Sequence, residues 1–511
     1  MLILRAKHAL IDPRLKQEGV RDNVALVIDQ GCVQEIVPDT PASLARFPGA
    51  QVLGNGRQLL LPGLIDAHSH GRGLSPIQKG VRNDFLENAL FDWSAMVVLP
   101  PELTSAMCAY RHLRSGCTTL HHNGFDDDVS GPQAAHTSVQ QYLESGLRLA
   151  FSPGLRNASK LALDEFAFFE TLPEDLKEWT RPRVFYDKQA LEDNYFDLFD
   201  ALYSRYDNED TSILLSPSWA HGASTSFLQR TRAESERRCG VKIHIHTLQT
   251  PVQKAYSFRQ NGVSAVQWLD DVGFLNENVV FGHAIHITEA DIALMARRGV
   301  SITHHPSCNF IMRNGLAPLP QLMDAGVRVA MGMDDKTIND DEDAVMETRM
   351  VHKMHRCATY DLTQPAMDAY TALELSTVNG AEVCGFGGSL GTLAPGMKAD
   401  AILVDLDAIS DDPWLDSRAD IIEAFLQRGL GRDVSSVVVG GRVVVQERRF
   451  QTMDVEALFH EVRSFCARGI PDAQRERIAQ LQRLKPYVHA WYAGWEDHML
   501  EAPFYRFNSR S

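Results

Sequence analysis

Two kinds of hydrophobic pattern divide this chain. Near the N-terminus, Val24-Ala25-Leu26-Val27-Ile28 and Cys32-Val33-Gln34-Glu35-Ile36-Val37 are short strand-like runs separated by Asp29-Gln30-Gly31, a turn signal. Residues 390–450 repeat that texture: Ala401-Ile402-Leu403-Val404 reads as a strand, and Ser436-Val437-Val438-Val439, Gly440-Gly441, Arg442-Val443-Val444-Val445 as a hairpin. Between them, eight apolar runs at 59–66, 118–122, 147–154, 213–219, 241–246, 279–284, 300–305 and 327–334 alternate with helical stretches. Regular βα alternation implies a parallel sheet, and eight repeats predict a closed (β/α)8 TIM-like barrel. A doubly wound open sheet is the rival, but no G-x-G-x-x-G follows the first run. The two β-rich ends can form one small β-sandwich domain if the barrel is an insertion whose own ends lie close together. The predicted organisation is therefore 1–58 and 389–450 for the small domain, 59–388 for the barrel, and 451–511 for a helical extension. That extension, with Trp491, Tyr492 and Trp495 near its end, either covers the barrel or makes a subunit contact.

Composition narrows the function classes. A formal net charge of −16 argues against a nucleic-acid partner, which needs clustered Lys and Arg. None of the 8 cysteines forms a C-x-x-C pair, so they read as reduced thiols rather than as a zinc knuckle or a disulfide scaffold. No apolar run reaches the roughly 18 residues of a membrane span, and the first residues lack the features of a secretory signal. The expectation is a cytoplasmic homo-oligomer, dimer or higher, that acts on a small molecule.

The chemistry concentrates where strands end. The first run finishes Ile65-Asp66-Ala67-His68-Ser69-His70, and residues i and i+2 of a strand point to one side, so both imidazoles can converge on one point. The fifth run ends His244-Ile245-His246, the sixth Gly282-His283, the seventh His304-His305 and the eighth Met331-Gly332-Met333-Asp334. In a (β/α)8 barrel these ends gather on one face. Several imidazoles and a carboxylate there make a mixed nitrogen and oxygen set suited to zinc, iron or manganese. Histidines hydrogen-bonded in the core without a metal are the competing reading.

In this order PGLIDAHSH, HIHTLQT, GHAIH, HHPSCN and MGMD resemble the amidohydrolase superfamily, in particular the branch with guanine deaminase, S-adenosylhomocysteine deaminase and the triazine hydrolases. Ile77-Gln78-Lys79-Gly80-Val81-Arg82-Asn83-Asp84 resembles the segment after that branch's first metal motif, and 388–400 its return into the small β-domain. The resemblance implies a metal-dependent hydrolase of C–N bonds in amides, carbamates, ureas or amino-heterocycles, with heterocycle deamination or triazine dechlorination as alternatives. A catalytically silent binding module is a remote alternative. It implies one divalent metal, zinc first, held by His68, His70, His246 and Asp334, with His283 on the metal-bound water or the metal itself. Asp334 would take the water's proton and pass it on. Two-metal members carry a bridging lysine on the fourth strand, and 213–219 has none.

One position departs from the pattern. The deaminases place a glutamate three residues after the strand-5 histidine, where this chain has Gln249, and an amide cannot shuttle a proton. His304 and His305 are expected either to supply that acid or polarise a carbonyl, or to serve as walls. His244 is assigned to packing, and Asp335 to capping or support rather than ligation. Arg72 and Arg156 either fix an anionic or carbonyl group of the substrate or form surface salt bridges. Gln78, Trp219, His221 and Gln249 complete the candidate substrate-binding set.

Overall fold

The computed structural model describes residues 1–125, 131–356, 363, 365–496 and 504. Strands from both ends of the chain share one nine-stranded sheet. The N-terminal region supplies β1 (Leu2–Leu10), β2 (Val20–Asp29), β3 (Cys32–Pro38), β4 (Gln51–Leu53) and β5 (Gln58–Pro62). The C-terminal region supplies β14 (Ala401–Asp405), β15 (Val434–Val439), β16 (Arg442–Gln446) and β17 (Arg449–Phe450). The ends join where β5 runs antiparallel to β14, with Leu61 opposite Ile402. Leu4, Leu26, Leu60, Ala401 and Leu403 bury one face of this sheet.

Between these ends lie eight strands: β6 (Leu64–Ser69), β7 (Cys117–Asn123), β8 (Arg148–Ser152), β9 (Thr211–Ile213), β10 (Ile243–Thr247), β11 (Val279–His283), β12 (Ser301–His304) and β13 (Val329–Met331). They form two parallel runs of four, β6 to β9 and β10 to β13. Bridges join the runs at both seams: Leu215 with Ile243 and Trp219 with His246 on one side, Ser69 with Asp334 on the other. The strand order thus returns to its start. Ile65, Ala67, Ala150, Leu214, Val280 and Ala330 fill the inside and pack on Ala381, Val383 and Phe386, which plug one end. Leu120, Phe151, Ile213, Phe281 and Met331 face the surrounding helices instead. The interior is a packed core rather than a pore.

The first apolar run, expected as one strand over 59–66, is two. Residues Gln58–Pro62 pair within the nine-stranded sheet, and the ring begins at Leu64. The break falls at Pro62-Gly63, since proline has no N–H for a ladder. A Cβ on Gly63 would come within 2.1 Å of Thr118 Oγ1, so only glycine lets the chain pass so close to β7. The extension packs on the barrel's helices: Leu458 and Val462 lie against Leu99 and Met107, and Leu484 and Val488 against Phe91 and Leu176. Among the described residues, no helix is long and apolar enough to cross a membrane.

Candidate metal centre

The C-terminal strand ends meet at Asp334. Its N–H donates to His68 O at 2.7 Å and its carbonyl accepts His70 N–H at 2.9 Å, so backbone bonds close the last strand onto the first. Asp334 and His283 both hold left-handed backbone angles, φ 64° and 72°. Such conformations cost about 1–3 kcal/mol each and persist where the surroundings over-determine them. Gly332 lets the strand approach, because a Cβ there would lie 2.9 Å from His68 Cβ and 2.8 Å from the His305 ring.

One ligand atom from each of His68, His70, His246 and Asp334 lies within 4.8 Å of the others. Asp334 Oδ1 is 3.3 Å from His68 Nε2 and 3.0 Å from His70 Nε2, and its Oδ2 is 3.6 Å from His283 Nε2. Backbone carbonyls fix the tautomers. His70 Nδ1 lies 2.9 Å from Asn123 O, and His246 Nδ1 lies 2.6 Å from Ser218 O. A carbonyl only accepts, so both Nδ1 atoms carry the proton and both Nε2 atoms offer a bare lone pair. Likewise His283 Nδ1 is held by Asn309 Oδ1 at 3.0 Å. Both nitrogens of His68 and the Nε2 of His283 are buried without a hydrogen-bond partner among the described residues. Orphaned buried polar atoms cost about 1–3 kcal/mol each, and a divalent cation amid these groups would satisfy one nitrogen of His68 and draw on His283 Nε2. The residues present therefore fit such an ion.

Electrostatics agrees. Burial, reinforced by the neighbouring imidazoles, pushes His68 well below the usual histidine range, and burial beside His70 takes His246 to about 3. Burial alone would raise the Asp334 carboxyl, but His68 and His70 hold it well below the usual range. His68 and His246, held neutral beside an ionised Asp334, suit a cation.

Two other ligand-type groups differ. His121 and His244 lie beneath His68, with His244 stacked on it at 4.6 Å. There, however, His121 Nδ1 binds Ala67 O and its Nε2 binds Ser152 Oγ, each at 3.0 Å, while His244 Nε2 reaches Thr303 Oγ1 at 3.2 Å. In the Cys108–His112–Glu342 group, His112 Nδ1 binds Cys108 O at 2.8 Å and its Nε2 binds Asp66 Oδ2 at 2.9 Å, so neither nitrogen is open. Asp66 in turn accepts the N–H of His68 and of Met333, which ties the first strand to the last from behind.

The other candidates separate. His305 joins the centre, with Nδ1 3.3 Å from His283 Nδ1 and 3.9 Å from Asp334 Oδ2. His304 turns outward, where its Nε2 lies 2.8 Å from His355 Nε2, and the structure does not bring it to Asp334. Arg72 stacks on Trp93 at 4.2 Å and on Phe125 at 5.3 Å, and Phe125 stacks on His70 at 4.3 Å. Its Nε is 3.3 Å from Asp335 Oδ1, so Asp335 supports Arg72 rather than the centre. Trp219 bridges to His246 along the backbone. His221 faces Tyr256 and donates toward Gln253 O at 3.1 Å. Gln78 is occupied in its own turn, its Oε1 accepting from Ser75 N and Arg111. Arg156 is half-buried in a loop whose next residue, Asn157, donates its N–H to Gly222 O. Gln249 is buried three residues past His246. Sequence reasoning missed Asn123, Ser218, Thr303 and Asn309, which orient the imidazoles, and His121, which lies beneath them. Only Asn309 had a signal, as the last residue of HHPSCN.

A ring of eight parallel strands whose ends gather imidazoles and one carboxylate defines a metal-dependent hydrolase. The model of the amidohydrolase family matches residues 59–444, three quarters of the sequence, and the chain belongs to that family. It is a hydrolase of C–N bonds. It is 27% identical over 426 residues to a 5-methylthioadenosine/S-adenosylhomocysteine deaminase of Syntrophomonas wolfei, covering 81% of this chain and 87% of that protein. Among solved structures it is similar to an adenosine deaminase from Xanthomonas campestris with bound zinc, with TM-score 0.76 and 24% identity over 94% of this chain and 98% of that one. It is also similar to a zinc complex of atrazine chlorohydrolase from Arthrobacter aurescens TC1, with TM-score 0.74 and 19% identity over 91% and 100% of the two chains. These likenesses imply a TIM-barrel fold.

Proposed function

We propose that this enzyme hydrolyses a C–N bond of a small amide, carbamate, urea or amino-heterocycle at a single metal, zinc first, held by His68, His70, His246 and Asp334. The observation that carries the reading is the pair of carbonyl-fixed imidazoles, His70 and His246, whose bare Nε2 atoms meet Asp334. His68, His70, His246 and Asp334 would hold a divalent cation, and the chemistry it would supply is activation of a water as nucleophile near neutral pH. Asp334, ionised and reaching both sides of the centre, accepts that water's proton. His283, neutral and oriented by Asn309, holds the water or the substrate oxygen. Arg72, braced between Trp93 and Phe125, orients a carbonyl or anionic group of the substrate. In this reading the chemistry belongs to a barrel unit that begins at Leu64 rather than at 59 and runs to about 388, and the nine-stranded sheet serves as its support. The seven described cysteines are all unpaired, which supports a reducing, cytoplasmic setting.

Deamination of an amino-heterocycle is the second reading, favoured by the deaminases among the relatives. Gln249 weighs against it in its usual form, because an amide offers hydrogen bonds but no transferable proton. A panel of amides, carbamates, ureas and amino-heterocycles, scored by product mass and ammonia release, tests both. Turnover that requires the added metal supports the first reading. Ammonia from heterocycles alone would replace it with the second, and an enzyme inert on the whole panel would reject both.

A further inference from the structure

A groove of about 640 Å³ lies where three parts of the chain meet, within the roughly 300–1,000 Å³ of small-molecule sites. The helix Pro101–Arg114 gives it Tyr110 and Arg114. The region of β15, β16 and β17 with its turns gives Arg432, Arg448, Arg449 and Phe450, and the start of the helix Val455–Cys466 closes it. Arg114 stands just before Cys117, where β7 begins opposite Leu64 of β6. The groove therefore lies where the ring strands start, whereas His68, His70, His246 and Asp334 gather where they end.

Four guanidiniums line this groove in a chain whose formal net charge is −16. Two of them are fixed in place. Arg114 donates to the Tyr110 hydroxyl at 3.3 Å and pairs with Asp341. Arg448 donates to Arg432 O at 2.9 Å and to Asp405 Oδ2 at 2.7 Å. The other two, Arg432 and Arg449, are exposed, and neither side chain has a hydrogen bond or ion pair among the described residues. Two carboxylates also line the groove. Asp454 is committed to a helix cap, where it accepts Ala457 N–H at 3.0 Å, which leaves Glu456 alone against two unpaired forks. That balance favours an anion, and planar guanidinium forks match phosphate oxygens.

The remaining wall is apolar. The Tyr110 and Phe450 rings lie 5.2 Å apart, and Val434, Val445 and Met453 complete that side. Between β16 and β17, Glu447 and Arg448 hold left-handed angles, φ 49° and 62°, where hairpin turns ordinarily use Asn or Gly. The turn thereby sets Arg448 and Arg449 at the rim despite its strain.

We propose that this groove binds a small organic anion in which phosphate is joined to a flat ring, the chemistry of a nucleoside diphosphate. Arg432 and Arg449 take the phosphate oxygens, Arg114 and Arg448 add fixed positive charge, and Tyr110 and Phe450 face the ring. The site is separate from the metal centre, so it stands or falls independently of the hydrolysis reading.

Isothermal titration of the metal-loaded protein with ADP and with pyrophosphate tests the assignment. One ADP should bind per chain, pyrophosphate should bind more weakly, and both should weaken as ionic strength rises. Arg432→Ala and Arg449→Ala change exposed positions, so both should fold with wild-type metal content. Each should weaken ADP about 10–100-fold. Phe450→Leu should weaken ADP and leave pyrophosphate unchanged, which reads the ring alone. Asp334→Asn, altered at the metal centre, should bind both ligands as wild type does. Absence of ADP binding, equal affinity for ADP and pyrophosphate, or binding that survives both arginine variants would overturn the proposal. Loss of binding in Asp334→Asn would move the anion to the metal centre and overturn it as well.

Discussion

Two histidine groups lie one above the other inside the ring, and ligand type does not distinguish them. The upper one joins His68, His70 and His246 to Asp334, and the lower one joins His68 to His121 and His244. Hydrogen bonding does distinguish them. In the upper group the bonds stop at the outer nitrogens, held by Asn123 O and Ser218 O, and leave lone pairs facing inward. In the lower group both His121 nitrogens are already occupied, by Ala67 O and Ser152 Oγ. In the reading proposed above, the upper group, with its open nitrogens facing Asp334, holds the ion, and the lower group, in which both His121 nitrogens are bonded, is its floor.

The largest effect that would sharpen this contrast is expected from Asp334→Asn. It removes the anionic member of the upper group and the proton acceptor together, and kcat/KM should fall by about 10⁴-fold. Gln249→Ala removes a polar contact but no proton shuttle, so steady-state kinetics should show a loss of about 10²–10³-fold. A Gln249→Ala variant as inactive as Asp334→Asn would make the amide essential to the chemistry. Asn309→Ala frees His283 without touching a ligand, and should cost about 10–100-fold in activity or metal affinity. His121→Gln should leave activity close to wild type and lower stability by about 1–3 kcal/mol in denaturant titration, because it disturbs buried partners.

How much of this contrast the sequence carried follows from backbone geometry. The ring strands are apolar runs bounded by turns and were visible as such. The crossing at Pro62-Gly63 was hidden, because Leu59, Leu60 and Leu61 are fully buried in the nine-stranded sheet and read like a barrel strand. His68, His70 and His246 were legible because two-residue spacing on a strand fixes a common side. His304 and His305 were not separable that way. Strand β12 ends at His304, and His305 has φ −125° and ψ 68° at the start of the next helix, where alternation no longer applies. Asn123 and Ser218 act through backbone carbonyls, which no side-chain pattern reveals.

A separate effect concerns pH. Burial raises Glu347, the acceptor of Ser307, to about 8, and Glu87 to about 7, from an ordinary 4.5. A raised folded pKa means the native state holds more protons than the unfolded chain, so this stability is full below about 4.5 and is lost as pH climbs toward 8. Unfolding free energy should decline across that window, and Glu347→Gln should flatten the decline.

The central claim is that one metal is held per chain in the upper histidine group. Metal content by mass spectrometry, on wild type, His246→Ala and His121→Gln purified side by side, tests it most directly. The expected values are one ion per chain, almost none and one, with all three proteins folded. Full occupancy in His246→Ala, or its loss in His121→Gln with retention in His246→Ala, would place the metal elsewhere and contradict the account.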